Sequence, residues 1–261
     1  MSDPLKPLDL FRMDSEVAVV TGAGNGLGYA FAQCFASVGA QVIVLDKDRA
    51  AAENAAMSIV NTGGSADWFE LDVTRESDVE AVFAAIEQRH GRVDVLVNNA
   101  GIAIRRPTID LTLEDWNKVI DVNLTGVFLC CRVAARYMLQ ERAGRIVNVA
   151  SIMGMSGGGL YPNISYQASK GAVVNLTRAL AVEWARKGIR VNAVAPTWVR
   201  TNFTESLFEQ PDLITEIQKM TPMGRIAEVN DIVGAVLFLA SRASSMVTGH
   251  TLPVDGGFLA Q

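Results

Sequence analysis

Seven short, β-branched apolar runs recur along the chain with longer helical stretches between them, and no other feature constrains the fold as much. They are VAVVTG (17–22), QVIVLD (41–46), ADWFELDV (66–73), VDVLVNNAG (93–101), GRIVNVAS (144–151), IRVNAVAP (189–196) and HTLPVDGG (250–257). Continuous apolar runs such as VAVV and VIVL belong in a parallel sheet buried on both faces. Strand–helix alternation supplies the right-handed crossovers that parallel strands need. A doubly wound α/β sheet of about seven parallel strands, with helices on both faces, is therefore expected. The 261 residues, 49% hydrophobic and 20% charged, suffice for one large core. No repeat, low-complexity tract or Gly/Ser-rich linker divides them, so residues 1–261 read as a single domain. One irregular segment, 197–225, carries Phe203, Leu207, Phe208, Ile214, Ile217 and Met220. It reads either as a mobile lid or as a fixed helical insertion packing its apolar side on the body.

With 23 Lys and Arg against 28 Asp and Glu, the formal net charge is −5. No basic run offers a footprint for nucleic acid or for an anionic membrane surface. The N-terminal MSDPLKPLDLFRMDSE lacks the apolar core of a signal peptide, and nowhere do eighteen apolar residues follow one another. A cytoplasmic protein without a membrane span is expected. Cys34, Cys130 and Cys131 are odd in number and lie in apolar helical surroundings, which reads as buried thiols. His90 and His250 are far apart, so no metal centre is expected. The balance fits work on a small molecule.

VVTGAGNGLGYAFA places Gly22, Gly26 and Gly28 between the first strand and a helix, with the spacing G-x-x-x-G-x-G. Such a turn exposes backbone N–H groups at the positive end of a helix, where a pyrophosphate fits. Asn25 and Leu27 belong to the same turn. Asp46 ends the second strand about twenty residues on, where a carboxylate accepts hydrogen bonds from the two hydroxyls of an adenosine ribose. It also repels a 2′-phosphate, and Asn25 stands where a basic residue would attract one, so NAD(H) is favoured over NADP(H). Lys47 acts the other way and keeps NADP(H) as the second choice. Asp72 and Val73 are placed to edge the adenine, and NNAG (98–101) to bring a small-residue backbone, including Asn99 and Gly101, close to the cofactor. Asn98 reads as scaffold.

SIMGMSGGGLYPNISYQASK (151–170) concentrates hydroxyls and one lysine. Tyr166 and Lys170 stand four residues apart and share a helix face, whereas Tyr161 is about half a turn out of phase with Lys170 and precedes Pro162. Ser165 and Ser169 read as helix-start and packing residues. Hydride transfer at a carbonyl needs a proton partner at the oxygen, and a phenol of ordinary pKa about 10 is a poor base near neutrality. A neighbouring ammonium on Lys170 stabilises the phenolate of Tyr166, and a positively charged nicotinamide pushes the same way. Ser151, ending the fifth strand, can hydrogen-bond the substrate oxygen. Asn123, unfavourable inside a helix unless its groups have a use, is the fourth candidate, holding water between Lys170 and solvent.

T-G-x-x-x-G-x-G at 21–28, N-N-A-G at 98–101, Asn123, Ser151 and Y-x-x-x-K at 166–170 together resemble the short-chain dehydrogenase/reductase family over nearly the whole chain. The resemblance implies a Rossmann-type fold, a nicotinamide cofactor, the tetrad Asn123, Ser151, Tyr166 and Lys170, and a homotetramer. It further implies that Lys170 meets the nicotinamide ribose and that the segment after Pro196, with Val199 and Thr201, meets the carboxamide.

Two positions depart from the family pattern. The step from Ser151 to Tyr166 is two residues longer than usual, and Thr197 replaces a glycine. The longer loop and APT are similar to members acting on polyols and sugars. Met153, Met155, Leu160, Tyr161, Trp198 and Phe203 instead favour a less polar alcohol or ketone. Ser151, Met153, Tyr161, Tyr166 and Trp198 are the candidate substrate contacts. The leading expectation is an NAD-dependent dehydrogenase of a polyol or sugar derivative. The alternatives are an NADPH-dependent reductase of 3-oxoacyl thioesters, on acyl carrier protein, and a non-catalytic dinucleotide-binding regulator.

Overall fold

A computed structural model describes residues 6–261; the first five residues of the N-terminal stretch discussed above lie outside the described residues. The seven strands are β1 (Val17–Thr21), β2 (Gln41–Asp46), β3 (Ser65–Glu70), β4 (Val95–Asn98), β5 (Gly144–Val149), β6 (Ile189–Pro196) and β7 (Thr251–Val254). They pair in parallel in the order β3-β2-β1-β4-β5-β6-β7. The nine α-helices among the described residues are α1 (Gly26–Ser37), α2 (Arg49–Asn61), α3 (Glu76–His90), α4 (Leu113–Ile120), α5 (Gly126–Glu141), α6 (Ile164–Trp184), α7 (Glu205–Phe208), α8 (Pro211–Met220) and α9 (Val229–Ala240).

The central strands are buried on both faces because each face has its own core. Val19, Ile43, Leu96 and Ile146 pack with side chains of α3, α5 and α6. Val20, Val42, Val97 and Val149 pack with those of α1, α2 and α9. The outer strands differ. β3 is only partly covered, and β7 holds Pro253, which an edge strand tolerates because no further ladder needs its missing N–H. Between the inner strands runs a buried polar chain: Asn98 Nδ2 donates to Asn148 Oδ1 at 2.8 Å, and Asn148 Nδ2 donates to Thr177 Oγ1 at 3.0 Å.

From β1 the chain builds outward through β2 to β3, then returns to lay β4 on the other side of β1. Ligands of such sheets sit beyond the carboxyl ends of the strands at this reversal. Several strands stop earlier than their apolar runs. Gly22, Asp72, Val73, Asn99, Gly101 and Ser151 all lie just past a strand end, in turns that line one cleft.

A π-helical turn, Asp121–Thr125, joins α4 to α5 and carries the buried Asn123. In the 197–225 segment, α7 and α8 bury Leu207 and Ile217 in a satellite core with Ile152, Met153, Trp198, Ile226 and Phe258. Its apolar side thus packs on the body, over the carboxyl ends of β5 and β6. Among the described residues no helix is long and apolar enough to cross a membrane. Cys130 and Cys131 are buried free thiols, and burial pushes Cys131 up to about 12.

Candidate active site

The glycine turn after β1 is strapped to the loop after β4. Thr21 Oγ1 accepts from Asn99 N at 3.0 Å and Ala100 N at 3.1 Å, and Asn99 Nδ2 donates to Gly22 O at 2.9 Å. The glycines within the turn do different work. Gly22 has φ +60°, and a Cβ there would lie 2.8 Å from Ala100 Cα. Gly28 does not line the cleft. It sits behind the cleft wall, where a Cβ would come within 2.3 Å of Gly22 O, and its bareness lets α1 approach β1. Gly26, φ +56°, faces open space, and a Cβ there would find Thr201 its nearest neighbour, at 3.9 Å. The Asn25 side chain caps no N–H of α1, so the first-turn amides meet the cleft unclaimed. Asp46 Oδ2 accepts from Gly24 N and Oδ1 from Asp48 N, both at 3.0 Å, which holds the carboxylate at the cleft's far end. An uncapped helix start, a glycine that leaves room and a carboxylate beyond them fit the phosphates and adenosine ribose of a dinucleotide.

At the other end, α6 brings Tyr166 and Lys170 to the strand end that carries Ser151. Lys170 is 3% exposed, and its Nζ donates to Val149 O at 2.6 Å and lies 5.6 Å from the Tyr166 ring centroid. Burial lowers Lys170 to about 8. Burial also pushes the half-buried Tyr166 up to about 12, against the Ser151 hydroxyl, which favours the phenolate; Tyr161 adds to the rise and Arg105 opposes it. Ser151 Oγ accepts from Met153 N at 3.1 Å, which fixes its side chain. Asn123 is fully buried. Its Oδ1 accepts from Ile102 N at 2.8 Å, and its Nδ2 donates to Ile102 O at 2.9 Å and to Ser169 Oγ at 3.1 Å. Asn123 therefore closes the loop after β4 onto α6, one layer behind the cleft, and a Cβ on Gly101 would stand 3.3 Å from it.

One cleft gathers Gly22, Asn25, Gly26, Leu27, Asp46, Asp72, Val73, Asn99, Gly101, Val199 and Thr201 with Ser151, Met153, Tyr161, Tyr166, Lys170 and Trp198. Of the expected site residues, only Gly28 and Asn123 stand behind its wall. Tyr161, set apart from Lys170 by helical phase, returns through the loop: its hydroxyl accepts from Trp198 Nε1 at 2.8 Å. Sequence reasoning missed Arg105 and Asn163, which also line the cleft. Neither belongs to a periodic pattern, and the only signal for Arg105 was a cation in the loop after a strand that ends at the switch point.

Residues 22–259 match the family model described as enoyl-(acyl carrier protein) reductase. The chain belongs to the short-chain dehydrogenase/reductase family. It is an NAD(P)-dependent oxidoreductase acting on CH–OH groups. Within the family it is 43% identical to galactitol 2-dehydrogenase (L-tagatose-forming) of Cereibacter sphaeroides, over 95% of this chain and 97% of that one. It is 38% identical to gluconate 5-dehydrogenase of Gluconobacter oxydans, over 95% and 96% respectively. Among solved structures, gluconate 5-dehydrogenase of Burkholderia cenocepacia in complex with NADP and tartrate superposes with a TM-score of 0.95. That protein is 36% identical, with 98% of this chain and 100% of the other covered.

Proposed function

We propose that this enzyme interconverts a secondary alcohol of a polyol or sugar derivative and its ketone, with Tyr166 as the acid/base. The observation that carries the reading is the convergence of Ser151, Tyr166 and the Lys170 ammonium, 5.6 Å from the phenol ring, on one wall of the cleft. Ser151 donates a hydrogen bond to the substrate oxygen. Tyr166 takes the hydroxyl proton in oxidation and returns it in reduction. A Lys170 ammonium on the same wall favours the phenolate over the phenol and so works against the rise that burial imposes on Tyr166. Asn123 holds the loop and helix that position Lys170. A nicotinamide cofactor, when bound, supplies the hydride acceptor or donor. The names of the relatives, galactitol and gluconate dehydrogenases, support a polyhydroxylated substrate.

The reading favours NAD. Asp46 reaches the cleft as a carboxylate that repels a 2′-phosphate, although Lys47 lines the same end and the Burkholderia relative is in complex with NADP. The 197–225 segment is read as the cover of the substrate end. The homotetramer that the family resemblance implies is proposed to pack through α5 and α6. A Tyr166→Phe variant is expected to fold and to bind NADH as the wild type does, while turnover falls by about 10²- to 10⁴-fold. Wild-type rates from it sink the assignment. The acyl-carrier-protein wording of the family description supports the second reading, a 3-oxoacyl-thioester reductase. That reading predicts a preference for NADPH and turnover of 3-oxoacyl thioesters in a substrate screen.

A further inference from the structure

Arg105 stands at the substrate end of the cleft without a counter-ion among the described residues. Its guanidinium lies 5.6 Å from the Tyr161 ring centroid and 5.8 Å from that of Phe203. Both rings are themselves held: Tyr161 by Trp198 Nε1, and Phe203 against Tyr166, with centroids 6.1 Å apart. The cation is therefore fixed in place within two ring contacts of the candidate proton donor. The Arg105 Nε is buried and has no hydrogen-bond partner. Its neighbour Arg106 does have one, pairing with Asp115 at 2.7 Å, so carboxylates are within reach of this loop and Arg105 takes none. Asn163, 4% exposed and immediately before α6, lines the same cleft with a buried Oδ1 that also lacks a partner.

Unpaired buried polar groups are costly to a folded protein and are rare unless a ligand completes them. Guanidinium matches carboxylate in a two-pronged planar geometry, and aromatic rings flanking it leave its N–H edge free to do so. A side-chain carbonyl matches a hydroxyl. We propose that Arg105 binds the carboxylate, and Asn163 a hydroxyl, of a polyhydroxy acid whose alcohol carbon is presented to Ser151 and Tyr166. Sugar acids, rather than neutral polyols, are then the substrates. This rests on the secondary-alcohol reading above. The Met153 and Trp198 side of the cleft packs the carbon chain, and Arg105 and Asn163 set its direction.

The test compares kcat/KM for D-gluconate and D-galactonate with that for D-glucitol and galactitol, on the full chain with NAD and NADP. The acids are expected to be favoured at least 50-fold. Arg105→Ala is expected to cut that preference at least 30-fold, chiefly through KM, and Arg105→Lys to restore part of it. Asn163→Asp, which adds a negative charge to the same cleft, is expected to raise KM for the acids more than for the polyols. Calorimetry of D-gluconate on the Tyr166→Phe protein with NADH present gives a readout free of turnover, and binding there should weaken at least tenfold when Arg105→Gln is added. Equal use of polyols and acids, with the preference unmoved by either Arg105 variant, overturns the subsite and leaves the secondary-alcohol reading standing. Turnover of neither class, with 3-oxoacyl thioesters accepted, overturns both.

Discussion

Lys170 is buried, and among the described residues no carboxylate pairs with it and its Nζ has only the Val149 carbonyl as a hydrogen-bond partner. Burial lowers its pKa from 10.5 to about 8. The folded protein thus binds this proton less tightly than the unfolded chain. The penalty is fully present below pH 8 and fades as pH rises from there towards the ordinary lysine value. A shift of this size is worth about 3 kcal/mol. Lys170→Met is therefore expected to gain about 1–3 kcal/mol in chemical denaturation at pH 7, while turnover collapses; a less stable variant contradicts the account. The Tyr166 phenol, pushed up to about 12, is protonated near neutrality. Ketone reduction should be nearly flat between pH 6 and 8, whereas alcohol oxidation should rise by about tenfold per unit as phenolate becomes available. Above the Lys170 value the rise should flatten, because the ammonium that stabilises phenolate is lost. Initial rates in both directions across pH 6–10 decide this, and an oxidation rate independent of pH counts against Tyr166 as the base.

At the scale of an element, the turn between β1 and α1 separates two uses of glycine that the motif spells identically. A Cβ at Gly28 meets Gly22 O at 2.3 Å and Asn99 Nδ2 at 2.5 Å, so Gly28→Ala forces backbone apart and is expected to cost about 3 kcal/mol or more. At Gly26 there is space, and the cost of Gly26→Ala is the left-handed backbone alone, about 1–2 kcal/mol. That methyl enters the place proposed for phosphate, however. Gly26→Ala should keep a cooperative melt and bind NADH at least tenfold more weakly, and Gly28→Ala should lose stability first. Thermal melts beside NADH titration separate the two, and the reverse pattern refutes the division. The π-helical turn at Asp121–Thr125 is the other element with a local purpose, since the extra residue turns Asn123 inward onto Ile102 and Ser169.

Across the whole molecule, two apolar cores flank the sheet and a smaller third one seats α7 and α8 over the substrate end. The helices α5 and α6 still present apolar side chains outward after packing: Phe128 is 42% exposed and Val182 83%. We propose that an association surface across α5 and α6 covers both. Light scattering is expected to give a tetramer, and Phe128→Asp combined with Val182→Asp to lower its mass. A wild-type monomer at micromolar concentration rules this out.

The sequence alone determined the number of strands, their parallel character and the helix that carries Tyr166 and Lys170, because those follow from local periodicity and spacing. It also marked nearly all of the residues that line the cleft, since the glycines and Asp46 lie at strand ends that the apolar runs mark. Where each strand stops was less legible: Asp72, Val73 and Asn99 to Gly101 belong to apolar runs but leave the ladder to line the cleft. Only the tertiary structure decided the strand order, the return of Tyr161 to the cleft through Trp198, the seating of the 197–225 helices, and the meeting of Arg105 with Tyr161 and Phe203. Those contacts join residues far apart in the chain. Whether a charge ends paired or alone depends on what packs around it, and spacing along the chain carries no record of that.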